Sequence, residues 1–330
     1  MTDKVKLGSI GVGWWAGVLA NALEAGGQGE LVSCFSRTKD KRDAFADQYG
    51  CRSAGSLEEL LSFPAIEGVV IATSHTSHRE LVEAAAAAGK HIFVEKPLTL
   101  KTADGAACVA AAAAAGVALQ VGHQRRRSTA NRRIRRMIEA GDLGDLEALE
   151  AHLSIPSAAR FPAEAWRWNP EESPLGSMTS LGVHHLDSMM YLAGPVRSVY
   201  AQARPGRQND VEEMTVFVLE FQSGALGTLV TSFYTPTLSR LAVFGTQGAA
   251  YSERDGTVLR VQTLDQKAAE EVELEPTDPL VEQLVEFASV VRGQASPEID
   301  GAAGLAVVAI LEAAVESSKT GRSVAVGGSA

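Results

Sequence analysis

Val5-Lys6-Leu7-Gly8-Ser9-Ile10-Gly11-Val12-Gly13-Trp14-Trp15-Ala16 is the stretch that decides how this chain folds. The run Val5 to Ile10 reads as a short strand, and a helical pattern follows the glycines to about Ala25, before Gly26-Gly27. Between them stands G-x-G-x-x-A. In a strand–turn–helix unit the first glycine, Gly11, permits a tight turn. The second, Gly13, lets a pyrophosphate approach the backbone, and the small Ala16 lets helix pack on strand. The helix start then faces the phosphates with unbonded N–H groups. Trp14 and Trp15 are bulky for such a loop; either both pack beneath it or one lies against the dinucleotide.

The same rhythm continues outward. The next strand, Leu31 to Phe35, ends at Ser36-Arg37-Thr38-Lys39, where a cofactor without a 2′-phosphate is usually met by Asp or Glu. A hydroxyl followed by cations suits a 2′-phosphate, so NADP is favoured over NAD. Val69 to Thr73 reads as a buried strand, and Ser77-His78-Arg79-Glu80 has the form of a capping box opening an Ala-rich helix. His78 is read there as a helix-start capping residue. Thr73, Ser74 and His75 sit where strand meets helix and are candidates for the ribose or diphosphate. His91 to Val94 is the next strand, and Glu95-Lys96-Pro97 follows it. Open α/β sheets place their chemistry at such strand ends. A lysine there, shielded from water, can lose part of its charge and act as an acid or base. Pro97 allows a cis bond to Lys96. A helix from about Thr102 to Ala115 and a strand from Val117 to Val121 complete a doubly wound pattern across residues 4–122.

After Gly122 the pattern changes. His123 to Met137 is dense in arginine and reads as a helix with a basic outer face, with Arg125 or Arg126 available to turn toward a cleft. Period-2 alternation then marks Leu146–Ile155, Val196–Ala203, Val211–Phe221, Ala225–Tyr234 and Leu241–Phe244, and Asp255-Gly256 signals a tight hairpin. One helix, about Thr179 to Ala193, interrupts these strands. Ser180, His184 and Asp187 lie on one of its faces, and Asp187 is placed to orient the His184 ring or to form a purely structural pair with it. Two amphipathic helices, about Asp278 to Ser318, close the chain and are expected to pack back across both domains. The fold class is therefore α/β: a Rossmann doubly wound parallel sheet over residues 1–123, then an α+β domain with a large, mainly antiparallel open sheet over 124–330. Few helices remain to cover that sheet, so one face is expected to meet a second copy, giving a homodimer or homotetramer.

Composition excludes several classes. Hydrophobic residues are 45% and charged residues 21% of the chain, as in ordinary globular proteins. The net charge of −10 argues against nucleic acid as a partner. Cys34, Cys51 and Cys108 share no metal-ligand spacing and read as buried thiols of a reducing cytoplasm. Met1-Thr2-Asp3-Lys4 has none of the marks of a signal peptide. No apolar run approaches the ~20 residues that span a bilayer, so a cytoplasmic protein with no membrane partner is expected.

The chain resembles the glucose–fructose oxidoreductase / inositol dehydrogenase / MocA (Gfo/Idh/MocA) family over nearly its whole length. The resemblance rests on the glycine loop, on Ala87-Ala88-Gly89-Lys90-His91-Ile92-Phe93-Val94-Glu95-Lys96-Pro97-Leu98, on Gly141-Asp142-Leu143-Gly144, on Trp166-Arg167 and on Leu181-Gly182-Val183-His184-His185-Leu186-Asp187. It implies NAD(H) or NADP(H) exchanging hydride with a carbon of a sugar, cyclitol or related polyol. Lys96 would hydrogen-bond the reacting oxygen and His184 would be the general acid/base. Glu95 joins the cofactor residues; Arg167, Ser180, Asp187 and His123 join the substrate residues. Members of the family usually carry Asp where this chain has Ser180, and serine cannot supply the charge that raises the basicity of Lys96 or His184. Two alternatives follow: an NAD-dependent glycosidase-like relative, or a non-catalytic dinucleotide-binding protein.

Overall fold

The computed structural model describes residues 4–157, 161–162, 164–207 and 210–327. The chain divides into two compact units, residues 1–123 with 278–305, and residues 124–277 with 306–330.

The first unit begins β1 (Val5–Ile10), α1 (Trp14–Gly26), β2 (Gly29–Phe35), α2 (Lys39–Tyr49), β3 (Arg52–Ser53) and α3 (Leu57–Leu61). It continues β4 (Gly68–Ile71), α4 (His78–Ala87), β5 (His91–Val94), α5 (Thr102–Ala115) and β6 (Leu119–Val121). The strands are all parallel, in the order β3-β2-β1-β4-β5-β6. The chain winds outward from β1 in one direction, then returns to the other side, the doubly wound topology expected from the sequence. All four residues of β4 are buried, as befits a central strand with helices on both faces. Leu19 and Leu23 of α1 pack with Leu7, Val70 and Phe93 of the sheet, and with Leu284 and Phe287 of α8 (Pro279–Val291). Phe287 meets Phe93 edge-on at 5.8 Å between ring centroids. One of the two closing helices is thus part of the first unit's core.

The second unit holds α6 (Thr129–Ala140), β7 (Leu146–Ser154), α7 (Val183–Ala193), β8 (Val196–Arg204), β9 (Met214–Phe221), β10 (Leu226–Ser232) and β11 (Leu238–Gly245). After these come β12 (Gly248–Glu253), β13 (Val258–Thr263), β14 (Glu270–Val272), α9 (Gly301–Thr320), whose first residues count with the first unit, and β15 (Val324–Ala325). The sheet runs β14-β13-β12-β11-β7-β10-β9-β8-β15 and is antiparallel except where β7 meets β10. Alternation sorts its faces: Thr215, Phe217, Leu219 and Phe221 of β9 are buried, whereas Val218 is 44% exposed. The hairpin at Asp255-Gly256 is present but longer than a two-residue turn. Arg254, Asp255 and Gly256 all have positive φ, at 50°, 58° and 81°.

Two local expectations are corrected. Ser77 does not cap α4: its backbone is already helical, and its hydroxyl turns back to the Ser74 carbonyl at 2.7 Å. The arginines after His123 are not a solvated helical face. Gln124–Arg127 is a tight 3-10 turn with Arg127 buried, and only further on, at Arg133 and Arg136 of α6, does the basic face reach solvent.

Candidate active site

Each unit contributes its own set of functional side chains. In the first, backbone hydrogen bonds hold the strand exits in register. Gly11 N–H donates to Phe35 O, Ala72 N–H to Ile10 O, Glu95 N–H to Ile71 O and Gly122 N–H to Val94 O, each at 2.9 Å. The glycine loop, Thr73–Ser77, Glu95-Lys96-Pro97 and His123 therefore leave neighbouring strands at one carboxyl edge.

The two glycines of the loop are there for different reasons. Gly11 has φ +98°, and a Cβ on it would lie 2.4 Å from the Ala72 carbonyl oxygen. It is required by the protein itself. Gly13 has an extended backbone, and a Cβ there would meet nothing within 4 Å. The space beside it is open, and Gly13, at the N-cap, brings no side chain to the first N–H groups of α1. An anion fits there, held by exposed donors at the positive end of the helix. These residues fit a dinucleotide's pyrophosphate. Trp14 is 72% exposed, 5.4 Å from the ring of Trp15, while Trp15 packs against the core. Of the two readings of the pair, Trp15 lies beneath the loop and Trp14 is left at its mouth.

At the β2 exit, Ser36 is half-buried and Arg37 exposed; among the described residues Arg37 makes no ion pair. The buried Arg42 of α2 donates to the Ser36 carbonyl at 2.8 Å and to Ser53 Oγ at 3.0 Å, which fixes the loop from below. Sequence reasoning passed over Arg42, although a cation one turn inside a helix after such a loop is a readable signal. Thr73 Oγ1 and Ser77 Oγ lie 2.8 Å apart, and His75 is buried beside His78.

Lys96 is half-buried, Glu95 is buried, and the Lys96–Pro97 bond is cis. A Cβ on Gly122 would fall 2.8 Å from Glu95 Oε1, so the β6 exit leaves just enough room for that carboxylate. His78 is fully buried, with Nδ1 3.0 Å from the Pro97 carbonyl and 3.2 Å from that of Leu98. It is not a capping residue: it fastens the turn that presents Lys96. His123 is fully buried.

In the second unit, a π-helical turn, Met178–Gly182, leads into α7, a widening often found at functional sites. Ser180 lies in that turn and His184, 7% exposed, in the first turn of the α-helix. Ser180 thus stands in the widened turn and His184 in the regular helix that follows it. Asp187, fully buried, is taken by Arg126, whose Nε donates to Oδ2 at 3.0 Å and whose Nη2 reaches Oδ1. Arg126 also lies 5.4 Å from the Tyr191 ring centroid. Arg125 donates to Asp255 and Ser239. Consecutive arginines thus grip α7 and the hairpin, and Asp187 is the carboxylate of a buried ion pair. His185 is buried 4% exposed, and burial, with Arg125 beside it, pushes its imidazole down to about 3. Arg167 stacks between the Trp166 ring, 4.4 Å away, and the Phe161 ring, 4.9 Å away.

Residues 5–123 match the oxidoreductase family with the NAD-binding Rossmann fold, and residues 131–251 match the GFO/IDH/MocA C-terminal domain. The chain belongs to the Gfo/Idh/MocA family. This Gfo/Idh/MocA chain is an NAD(P)-dependent oxidoreductase by that membership, with the parallel and open sheets the family implies. It is 29% identical to the 1,5-anhydro-D-fructose reductase of Ensifer adhaerens over 309 residues, 91% of this chain and 92% of that one. It is 28% identical to D-xylose 1-dehydrogenase (NADP(+)) 2 of Haloferax volcanii over 327 residues, 96% and 98% of the two chains. Among solved structures, a Desulfitobacterium hafniense protein assigned provisionally as an NADPH-dependent oxidoreductase superposes with a TM-score of 0.92. That pair is 30% identical, with 99% of both chains covered.

Proposed function

We propose that this Gfo/Idh/MocA enzyme uses NADP in preference to NAD to interconvert a C–OH and a C=O group on a sugar, cyclitol or related polyol. The observation that carries the reading is the carboxyl edge of the parallel sheet, where an open phosphate cradle at Gly13 and the fastened Lys96 leave neighbouring parts of one sheet. The names of the relatives from Ensifer adhaerens and Haloferax volcanii support the substrate class.

NADP, when bound, supplies the hydride acceptor or donor. Gly11 and Gly13 shape the pyrophosphate loop, and the α1 N–H groups donate to it. Ser36 and Arg37 meet the 2′-phosphate; Thr73, Ser74, His75 and Glu95 line the rest of the dinucleotide. Lys96 hydrogen-bonds the reacting oxygen, and His184 takes or gives the hydroxyl proton. A positioned acid/base contributes roughly 10²–10⁴-fold. Arg167, His123 and Ser180 contact substrate. Asp187 supports α7 through Arg126.

The open face of the second unit's sheet supports association of two or four copies. Val218 and Leu226 are 44% and 56% exposed there, and Tyr200 is paired beside Val218.

The test is a panel of polyols, aldoses and keto-sugars read by absorbance with NAD and NADP in parallel, on the wild type and Lys96→Ala. Turnover by the wild type and its near loss in the variant, with cofactor affinity little changed, is the expected result. Cofactor binding without net reduction on any substrate would remove the dehydrogenase reading in favour of a glycosidase-like or non-catalytic protein.

A further inference from the structure

Arg42 is a buried cation held by neutral oxygens. It stands in the first turn of α2, 8% exposed, and among the described residues it makes no ion pair. Its Nη1 donates to the Ser36 carbonyl at 2.8 Å and its Nε to Ser53 Oγ at 3.0 Å. A carboxylate is reached only through Ser53, whose hydroxyl donates to Asp43 Oδ1 at 2.5 Å. That carboxylate is already paired at the surface with Lys39, 2.5 Å away. Taking a guanidinium out of water is costly unless an opposite charge meets it. A neutral donor would hold the same two oxygens without that cost, so the charge itself calls for an anion.

The place where that anion would sit follows from what Arg42 holds. Ser36 and Arg37 form the loop between β2 and α2. Arg37 is exposed, so the two arginines bracket Ser36, one from solvent and one from within. Thr38, at the N-cap of α2, makes no side-chain hydrogen bond to the helix start. The dipoles of the first turn therefore add positive potential at the same loop. Asp40 is the acidic residue of that turn, and it is exposed.

We propose, on the reading of this loop as the 2′-phosphate site, that Arg42 is a specificity-determining residue: its buried charge beneath Ser36 stabilises the 2′-phosphate that NADP carries and NAD lacks. A phosphate monoester bears a charge of roughly −1.5 to −2 at neutral pH. A cation with little water around it acts on that charge with less screening than a surface cation does. The Arg42 contribution therefore persists as salt rises, whereas that of exposed Arg37 fades. NAD presents a neutral hydroxyl at the same place and gains nothing from the charge. Arg42 thus separates the two cofactors by electrostatics, while its bond to the Ser36 carbonyl serves both.

The test is calorimetric titration of the full chain with NADPH, NADH, adenosine 2′,5′-bisphosphate and 5′-AMP, at low and high potassium chloride, beside apo melting curves. Arg42→Met should lose roughly tenfold in affinity for NADPH and the bisphosphate, with NADH and 5′-AMP little changed. Arg42→Lys, which keeps the charge, should retain most of the wild-type preference. An equal loss for NADPH and NADH in Arg42→Met makes Arg42 a seat for the loop alone and overturns the proposal; so does an unchanged ratio. If Arg42→Met fails to fold, Arg37→Ala decides. A preference for the bisphosphate over 5′-AMP that survives high salt in that variant supports Arg42, and its complete loss overturns it. A wild type that binds NADPH no better than NADH fails the cofactor reading itself, and the Arg42 proposal falls with it. A wild-type preference that survives in Arg42→Met overturns Arg42 alone.

Discussion

Replacing Gly13 with Ala should leave the apo protein folded and yet cripple dinucleotide binding, whereas Gly11→Ala should damage the fold. At Gly13 a methyl group meets nothing within 4 Å, and the backbone, at φ −75° and ψ 177°, suits any L-residue. Alanine is a poorer helix N-cap than glycine by roughly 0.5–1.5 kcal/mol. Loss of chain entropy in the unfolded state returns about 0.4–1 kcal/mol. The net change is within about 1 kcal/mol, and the apo melting curve hardly moves. The cofactor, however, loses its closest approach. One charge-assisted hydrogen bond between a phosphate and a helix N–H is worth roughly 1.5–3 kcal/mol. At about 1.4 kcal/mol per decade, affinity falls roughly 10- to 150-fold. At Gly11 the same methyl sits 2.4 Å from the Ala72 carbonyl oxygen, on a backbone at φ +98°. Left-handed strain of about 1–2 kcal/mol adds to overpacking of about 1–3 kcal/mol, so the apo protein itself loses several degrees. The assay pairs apo melting with NADPH titration by quenching of Trp14 and Trp15 fluorescence. Wild-type affinity in Gly13→Ala, or an apo melting loss equal to that of Gly11→Ala, would refute the assignment of the open space to pyrophosphate.

Three further outcomes are expected. Arg37→Asp should lower NADPH affinity relative to NADH, and an unchanged ratio in paired titrations would remove the 2′-phosphate reading. Asp187→Ala removes the carboxylate from the Arg126 ion pair at a buried position, which should cost up to roughly 3 kcal/mol in urea unfolding; a loss of turnover with full stability would instead tie Asp187 to the His184 ring. His185 is held neutral in the fold down to about 3, by burial and by Arg125. Arg125, Asp255 and His152 face it. The unfolded chain takes up that proton near 6.5, so the contribution is complete above about 6.5 and fades as pH falls toward 3. His185→Gln should flatten urea stability across that window, and an unchanged pH slope would count against it.

Much of the first unit was legible in the sequence because its signals are local. A glycine turn between strand and helix, a buried run ending at Glu95-Lys96-Pro97, and helix stops at glycine each occupy a dozen residues or fewer. What misled depended on partners far along the chain. His78 looked like a helix cap because its partners, the Pro97 and Leu98 carbonyls, lie about twenty residues on. Arg125 and Arg126 could be expected to turn inward, but their partners could not be named, because Asp255 and Asp187 are 130 and 61 residues away. Asp187 was assigned to His184 by helical spacing, yet burial of a carboxylate demands a cation, and Arg126 supplies it. The parallel pairing of β7 with β10 leaves no trace in alternation, which looks alike in either direction. Nor does periodicity reveal the widened turn at Met178–Gly182.

That widened turn carries a consequence for how the enzyme can change. It holds one residue more than an α-helical turn would, so removing a single residue from it would tighten the coil and swing Ser180 around the helix axis by roughly 100°. His184, downstream in regular helix, would keep its heading. A deletion of three nucleotides in the gene would therefore re-aim Ser180 relative to His184 in a single step, a change of heading that a side-chain substitution does not make.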